Sequence, residues 1–142
     1  MAGVKSYRDL DAWNVGMTVV ELTYQVVRSL PADERYELSA QMRKAAVSIP
    51  SNVAEGFARG TARVCAHFVR IALGSNAELD TQLEVARRLK FVSPDSAQPL
   101  QDALDRERQI LHGLHRNRER RIAVSVGCLA LWLALTAAPL LT

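Results

Sequence analysis

Gln41-Met42-Arg43-Lys44-Ala45-Ala46-Val47-Ser48-Ile49-Pro50-Ser51-Asn52-Val53-Ala54-Glu55-Gly56 is the stretch on which the reading of the fold turns. Leu38, Met42, Ala45, Ile49 and Val53 recur at three–four spacing, which puts them on one apolar face of a helix. Pro50 interrupts that helix chemically. It has no N–H to give the carbonyl of Ala46, and its ring crowds the same carbonyl, so a kink or break is expected there. Ser48 and Ser51 are expected to bond locally to the freed groups. Asn52 and Glu55 follow the interruption, and Gly56 either ends the helix or lets another backbone come close.

Working outward, the segments on either side are helical too. Ser6 to Asp9 has the form of a capping box, and a first helix is expected to run from it to about Leu30, before Pro31. That helix carries two apolar stripes: Leu10, Trp13, Met17, Val20, Tyr24 and Val27, and beside them Val15, Val19, Leu22 and Val26. The two together form either one broad face toward a single core or a core face plus a second contact surface. The second helix is expected from Ala32 or Asp33 to about Gly60, and the third from an N-cap at Thr61 to about Val92. Cys65, Val69, Ala72, Asn76, Leu79, Leu83 and Ala86 keep heptad-like spacing in the third, with Asn76 the polar member of the seam. Ser93 and Pro94 read as N-cap and first helical residue of a fourth. Pro99 suggests that its regular part starts near Gln98. Leu100, Leu104, Leu111 and Leu114 form its stripe, interrupted by Glu107, and it is expected to end in the basic cluster Arg116, Arg118, Arg120 and Arg121. Short connections make sequential helices antiparallel, so the reading is an all-α, up-down-up-down four-helix bundle over residues 5–116 with a kinked second helix.

Residues 117–142 follow as a basic junction and an apolar, helical C-terminal tail. Residues 122–142 carry no charged side chain, although the chain holds 18 Lys and Arg and 15 Asp and Glu. Three readings stay open for this tail: a membrane anchor, with the arginines on the cytoplasmic side; a helix buried between subunits; or an extension foreign to the bundle. Composition adds little beyond this. A chain of 142 residues, 49% hydrophobic and 6% aromatic, supports one domain with an aliphatic core. Two cysteines make no disulfide framework, and residues 1–11 have no apolar run of the signal-peptide kind, so a cytoplasmic bundle is expected. A net charge of +3 permits an anionic partner without requiring one.

The stretch Arg43 to Gly56 resembles the signature of the bacterial four helix bundle protein family, also called the ribosomal-RNA intervening-sequence protein family. Similarity continues through Phe57 to Gly60, Ile71 to Ser75 and Glu78 to Leu83, and is present at Tyr7 to Trp13. In all it covers residues 5–115. The resemblance implies a small helical protomer that assembles into a ring, typically a pentamer, with no established enzymatic activity. A related branch serves as the accessory protein of diversity-generating retroelements, where it binds a reverse transcriptase and nucleic acid. Asn76 departs from the family, whose members usually carry an apolar residue there.

No phosphate-binding glycine loop, nucleophile elbow or zinc-spaced cysteine set is present, and no catalytic, cofactor or metal residue is assigned. His112 and His115 share a helix face but need further ligands to hold a metal, and Asp105 or Glu119 is only a loose candidate. His67 reads as a boundary residue and Cys65 as a small core residue. Glu55 is expected to pair with Arg59 one turn on, and Arg43 with another helix, for instance at Glu78. The candidate nucleic-acid contacts are Arg43, Lys44, Arg59, Arg63, Arg70, Arg87 and Arg88. With no aromatics interleaved, such binding to DNA or RNA would be non-specific, and a ring would multiply it. Ser48, Pro50, Ser51, Asn52, Glu55 and Gly56 read as a structural motif. The function so read is a non-enzymatic homo-oligomeric scaffold that binds a protein partner, nucleic acid or both, as a reverse-transcriptase accessory protein does. The alternative is a structural or adaptor protein anchored in the inner membrane by the tail.

Overall fold

A computed structural model describes residues 3–136, with side chains to 133. Four long helices account for most of it: α1 Asp11–Val26, α2 Leu38–Ala58, α3 Ala62–Arg88 and α4 Pro94–Thr136. Among the described residues there is no strand. α1 packs on α2, α2 on α3, α3 on α4 and α4 on α1, closing a cycle around one core. Met42, Ile49, Val53, Val69, Leu79, Leu83, Leu100, Leu104 and Leu111 fill it. The stripe read from residues 38–53 is the inner face of α2, with Met42, Ala45, Ile49 and Val53 buried and Leu38 at the edge.

The helix boundaries correct the sequence reading in four places. The Ser6 capping box is present, but it caps a 3₁₀ turn over Tyr7–Asp9, and α1 begins after it at Asp11. α1 ends at Val26, and a 3₁₀ turn over Val27–Ser29 carries the chain to Leu30. Residues expected to open the second helix form another 3₁₀ turn, Ala32–Tyr36, and α2 starts at Leu38, where the Glu34 carboxylate accepts the Leu38 N–H at 3.3 Å. At α3 the Thr61 hydroxyl takes the Val64 N–H as expected, but the helix stops at Arg88, before Val92. Lys90 there adopts φ +60°, and the Phe91 N–H reaches back to the Ala86 carbonyl. That closes the helix in the manner usually given to glycine.

Neither proline ends a helix. α2 runs through Pro50 and α4 through Pro99. Ser93 caps α4 by accepting the Ser96 N–H, and the helix is regular from Pro94, not from Gln98. Nor does α4 stop at the arginine cluster. It continues through Thr136, because residues 114–136 hold no proline and are dominated by leucine, alanine, arginine and other good helix formers. Beyond the bundle its apolar side chains stand exposed, Val124, Leu129 and Leu131 each at about 65%. Among the described residues no helix is long and apolar enough to cross a membrane. The last part of the apolar run, with Pro139, lies outside the described residues.

Of the two stripes on α1, the inner face takes Val19 and Val26 of the second and fills the rest with small residues. Ala12, Gly16, Val19, Thr23 and Val26 are buried, while Trp13, Met17 and Val20 are half-buried and Tyr24 is 44% exposed. Small residues win the inner face because α1 and α2 come very close. A Cβ on Gly16 would sit 3.3 Å from the Pro50 Cβ. Pro50, buried, supplies the bulk that a larger residue at position 16 would have supplied.

Candidate nucleic-acid interface

The signature residues of α2 build a polar belt through the bundle. The Asn52 amide donates to the Ser48 carbonyl at 2.7 Å and to the Ser48 hydroxyl at 2.9 Å. The Ser48 hydroxyl meets the Ser75 hydroxyl of α3 at 2.8 Å, so it links helices where only a local bond was expected. Ser51 does bond locally, to the Val47 carbonyl at 2.7 Å. Next to Ser75, Asn76 donates across to the Leu104 carbonyl of α4 at 3.1 Å. Position 76 is thereby satisfied by backbone, and its polarity ties α3 to α4 instead of leaving a buried amide unpaired. At the far end of the signature Gly56 lies against α3, where a Cβ would fall 2.9 Å from the Phe68 Cβ and 3.3 Å from the Cys65 Cα. Ser48, Pro50 and Gly56 thus hold α2 to its neighbours, and Asn52 braces Ser48 from within α2. Glu55 and Ser51 are exposed.

One turn beyond Leu104, Glu107 occupies the stripe position between Leu104 and Leu111 and is fully buried. Among the described residues neither carboxylate oxygen has a hydrogen-bond partner. Burial raises its pKa from the ordinary 4.5 to about 8, so the side chain is held as the neutral acid at neutral pH. The sequence signal was there, as a lone acid inside a leucine stripe, but it read as an interruption and not as a core position.

The basic candidates fall into three groups. Arg59 is engaged: its Nη2 donates to Glu55 at 2.6 Å, as expected, and its guanidinium lies 5.2 Å over the Phe68 ring. Arg87 and Arg88 share Glu84, at 3.9 and 2.8 Å, and the Arg88 hydrogen bond holds the Glu84 carboxyl below its usual range. These three must release a carboxylate to bind a phosphate, a small cost for ion pairs at the surface. Lys44, Arg63 and Arg70 are exposed and, among the described residues, form no ion pair. Arg63 and Arg70, seven residues apart on α3, share a face. Arg43 does not reach Glu78. Its Nη2 donates to the Arg35 carbonyl at 3.1 Å, and Glu78 accepts from Gln82 instead.

That bond places Arg43 in an open cleft of about 580 Å³ between the end of α1, the following turns and the start of α2. Arg28 and Arg35 line the same cleft, and neither was singled out from sequence. They sit in the connection between helices, where helical periodicity gives no guidance. A smaller groove of about 240 Å³ runs between α1 and α2, lined by Tyr7, Trp13, Met17, Val20, Val47 and Pro50 among others. His67 is exposed with its ring edge-on to Phe68, His112 is exposed, and His115 lies 3.6 Å from Glu119. Among the described residues no three potential ligands gather to hold a metal. Cys65 is buried as expected, and Cys128 is exposed.

Residues 8–113, three-quarters of the chain, match the 23S rRNA-intervening sequence protein family. The chain belongs to that family. The match begins at the first turn and ends within α4, so the bundle belongs to the family and the apolar end of α4 lies beyond the matched region. Among curated proteins none matches.

Proposed function

We propose that this family member is a non-catalytic, homo-oligomeric helical scaffold whose basic surfaces hold a nucleic-acid strand, alone or together with a protein partner. In this reading the four helices run up-down-up-down, with α2 kinked at Pro50, and copies associate into a ring, the pentamer that the family resemblance implies. The observation that carries it is the half-buried strip of α1 at the rim of the core, where Trp13 and Val20 pack inward on one side only. Trp13, Met17 and Val20 are only half-buried, and a groove over Val47 and Pro50 continues the strip onto α2. An apolar strip of this kind on a single copy suits a self-contact. Lys44, Arg63 and Arg70, free of ion pairs among the described residues, supply the charge. A ring repeats that charge and so strengthens phosphate binding without new contacts. A reverse transcriptase is the protein partner suggested by the retroelement branch of the family.

A second reading rests on a separate observation, the exposed Val124, Leu129 and Leu131 beyond the bundle. Here the apolar end of α4 attaches the scaffold to the inner membrane. Sedimentation with vesicles that survives high salt but yields to detergent supports that reading.

Fluorescence anisotropy of the full chain with a labelled RNA strand tests the first. Binding is expected to weaken steeply as salt rises, and Arg63→Glu with Arg70→Glu is expected to weaken it at least tenfold. Absence of binding at low salt, or binding indifferent to salt, overturns the nucleic-acid part of the reading.

A further inference from the structure

The cleft at the start of α2 is rich in arginine. Arg28, Arg35 and Arg43 line it, and no carboxylate does. Among the described residues none of the three takes part in an ion pair. Glu34, beside Arg35 in the chain, accepts the Leu38 N–H and forms no ion pair with the three among the described residues. Ser39, only 3% exposed, adds a hydroxyl to the lining. The positive end of α2 opens at the same place. Arg43 gives one guanidinium N–H to the Arg35 carbonyl and the Arg35 guanidinium lies 5.9 Å over the Tyr36 ring, and the donors that the three arginines have left suit an anion with several acceptor oxygens, such as a phosphate.

The cleft is not only charged. Val27 and Leu30 make its floor, and Tyr24, 44% exposed, forms one wall. Tyr24 and Arg28 also line a second groove of about 480 Å³, together with the Glu21 carboxylate, so the aromatic residue is common to both spaces. An exposed ring beside a phosphate-binding cluster suits a flat base.

We propose that this cleft is a nucleotide subsite, with a phosphate held by Arg28, Arg35 and Arg43 and the attached base laid against Tyr24. The inference rests on the reading that the scaffold binds nucleic acid, and it gives that reading a defined anchor point for one unit of a single strand. It also assigns the contact to Arg28 and Arg35 ahead of Arg59, Arg87 and Arg88, whose charges carboxylates already engage.

The test compares the full chain with Arg28→Gln/Arg35→Gln and with Tyr24→Leu. Both arginines are exposed, so circular dichroism and light scattering are expected to match the parent. Two probes are titrated: a labelled single-stranded RNA, and adenosine monophosphate followed by NMR. The double variant is expected to lose at least tenfold in strand affinity and to lower the salt slope by about 0.7, the share of one phosphate on a single strand. Tyr24→Leu is expected to weaken both probes several-fold with the salt slope unchanged. If the double variant binds the strand as the parent does, the subsite is wrong while the scaffold reading stands. If the parent takes up the mononucleotide in this cleft but no strand, the subsite stands and the strand-binding function falls. If it binds neither probe, the subsite is wrong along with the strand-binding reading.

Discussion

Glu107 is the residue whose chemistry most exceeds its packing role. Its carboxyl is neutral in the fold up to about pH 8, whereas in the unfolded chain it ionises near the ordinary 4.5. Between those values the folded state holds a proton that the unfolded state has released. Its contribution is therefore complete below about pH 4.5 and is lost as pH rises toward 8. The loss is on the order of a few kcal/mol. Urea unfolding of Glu107→Gln at pH 5 and pH 9 is expected to remove most of the fall in stability seen for the parent over that range. Parallel pH profiles for the two proteins would contradict the assignment. Gly56 makes the opposite point, that the absence of a side chain can be what a position needs. Gly56→Ala is expected to cost about 1–3 kcal/mol, read as a lower denaturant midpoint, because the new methyl meets Phe68 and the backbone of Cys65. The sequence showed that Gly56 permits a close approach, but not which helix approaches. It showed Glu107 as an exception in a stripe, but burial is a property of neighbours that periodicity does not name.

Among the elements, α2 is the best example of local rules yielding to packing. Pro50 removes one helical hydrogen bond, yet α2 continues, because Pro50 is enclosed against Gly16 and the next turn is tied by Ser51 to Val47 and by Asn52 to Ser48. Asn52→Ala frees the Ser48 hydroxyl from one partner and is expected to lower stability by about 1 kcal/mol, measured by chemical denaturation. An unchanged midpoint would mean that the belt contributes nothing. The end of α3 offers a gain. Lys90 holds a left-handed conformation that glycine adopts without strain, so Lys90→Gly is expected to raise stability by roughly 0.5–1 kcal/mol. The existence of four helices and the caps at Thr61 and Ser93 were legible from residue types. The 3₁₀ turns over Tyr7–Asp9 and Ala32–Tyr36 were not, since capping residues and first-turn acids suit a 3₁₀ turn as well as an α-helix. The length of α4 was missed for a related reason. Charge ended at Arg121, but nothing there stops a helix.

At the scale of the molecule, the family and the helical core were readable from the residue 41–56 stretch and the stripes around it, and the match over residues 8–113 agrees. Which face of α1 turns inward was not readable, since hydrophobicity alone favours Trp13 and Met17 over Ala12 and Gly16. Close approach to Pro50 selects the small residues and leaves the large ones half-buried at the rim, where Trp13 and Val20 still pack on the core. That rim underlies the proposal of self-association. Light scattering after size-exclusion chromatography, on the full chain and on a chain ending at Arg116, tests it most directly. The account expects the same defined oligomer from both, because the strip on α1 lies within the bundle. A monomer from both would contradict the scaffold. An oligomer lost only on truncation would move the contact to the apolar end of α4.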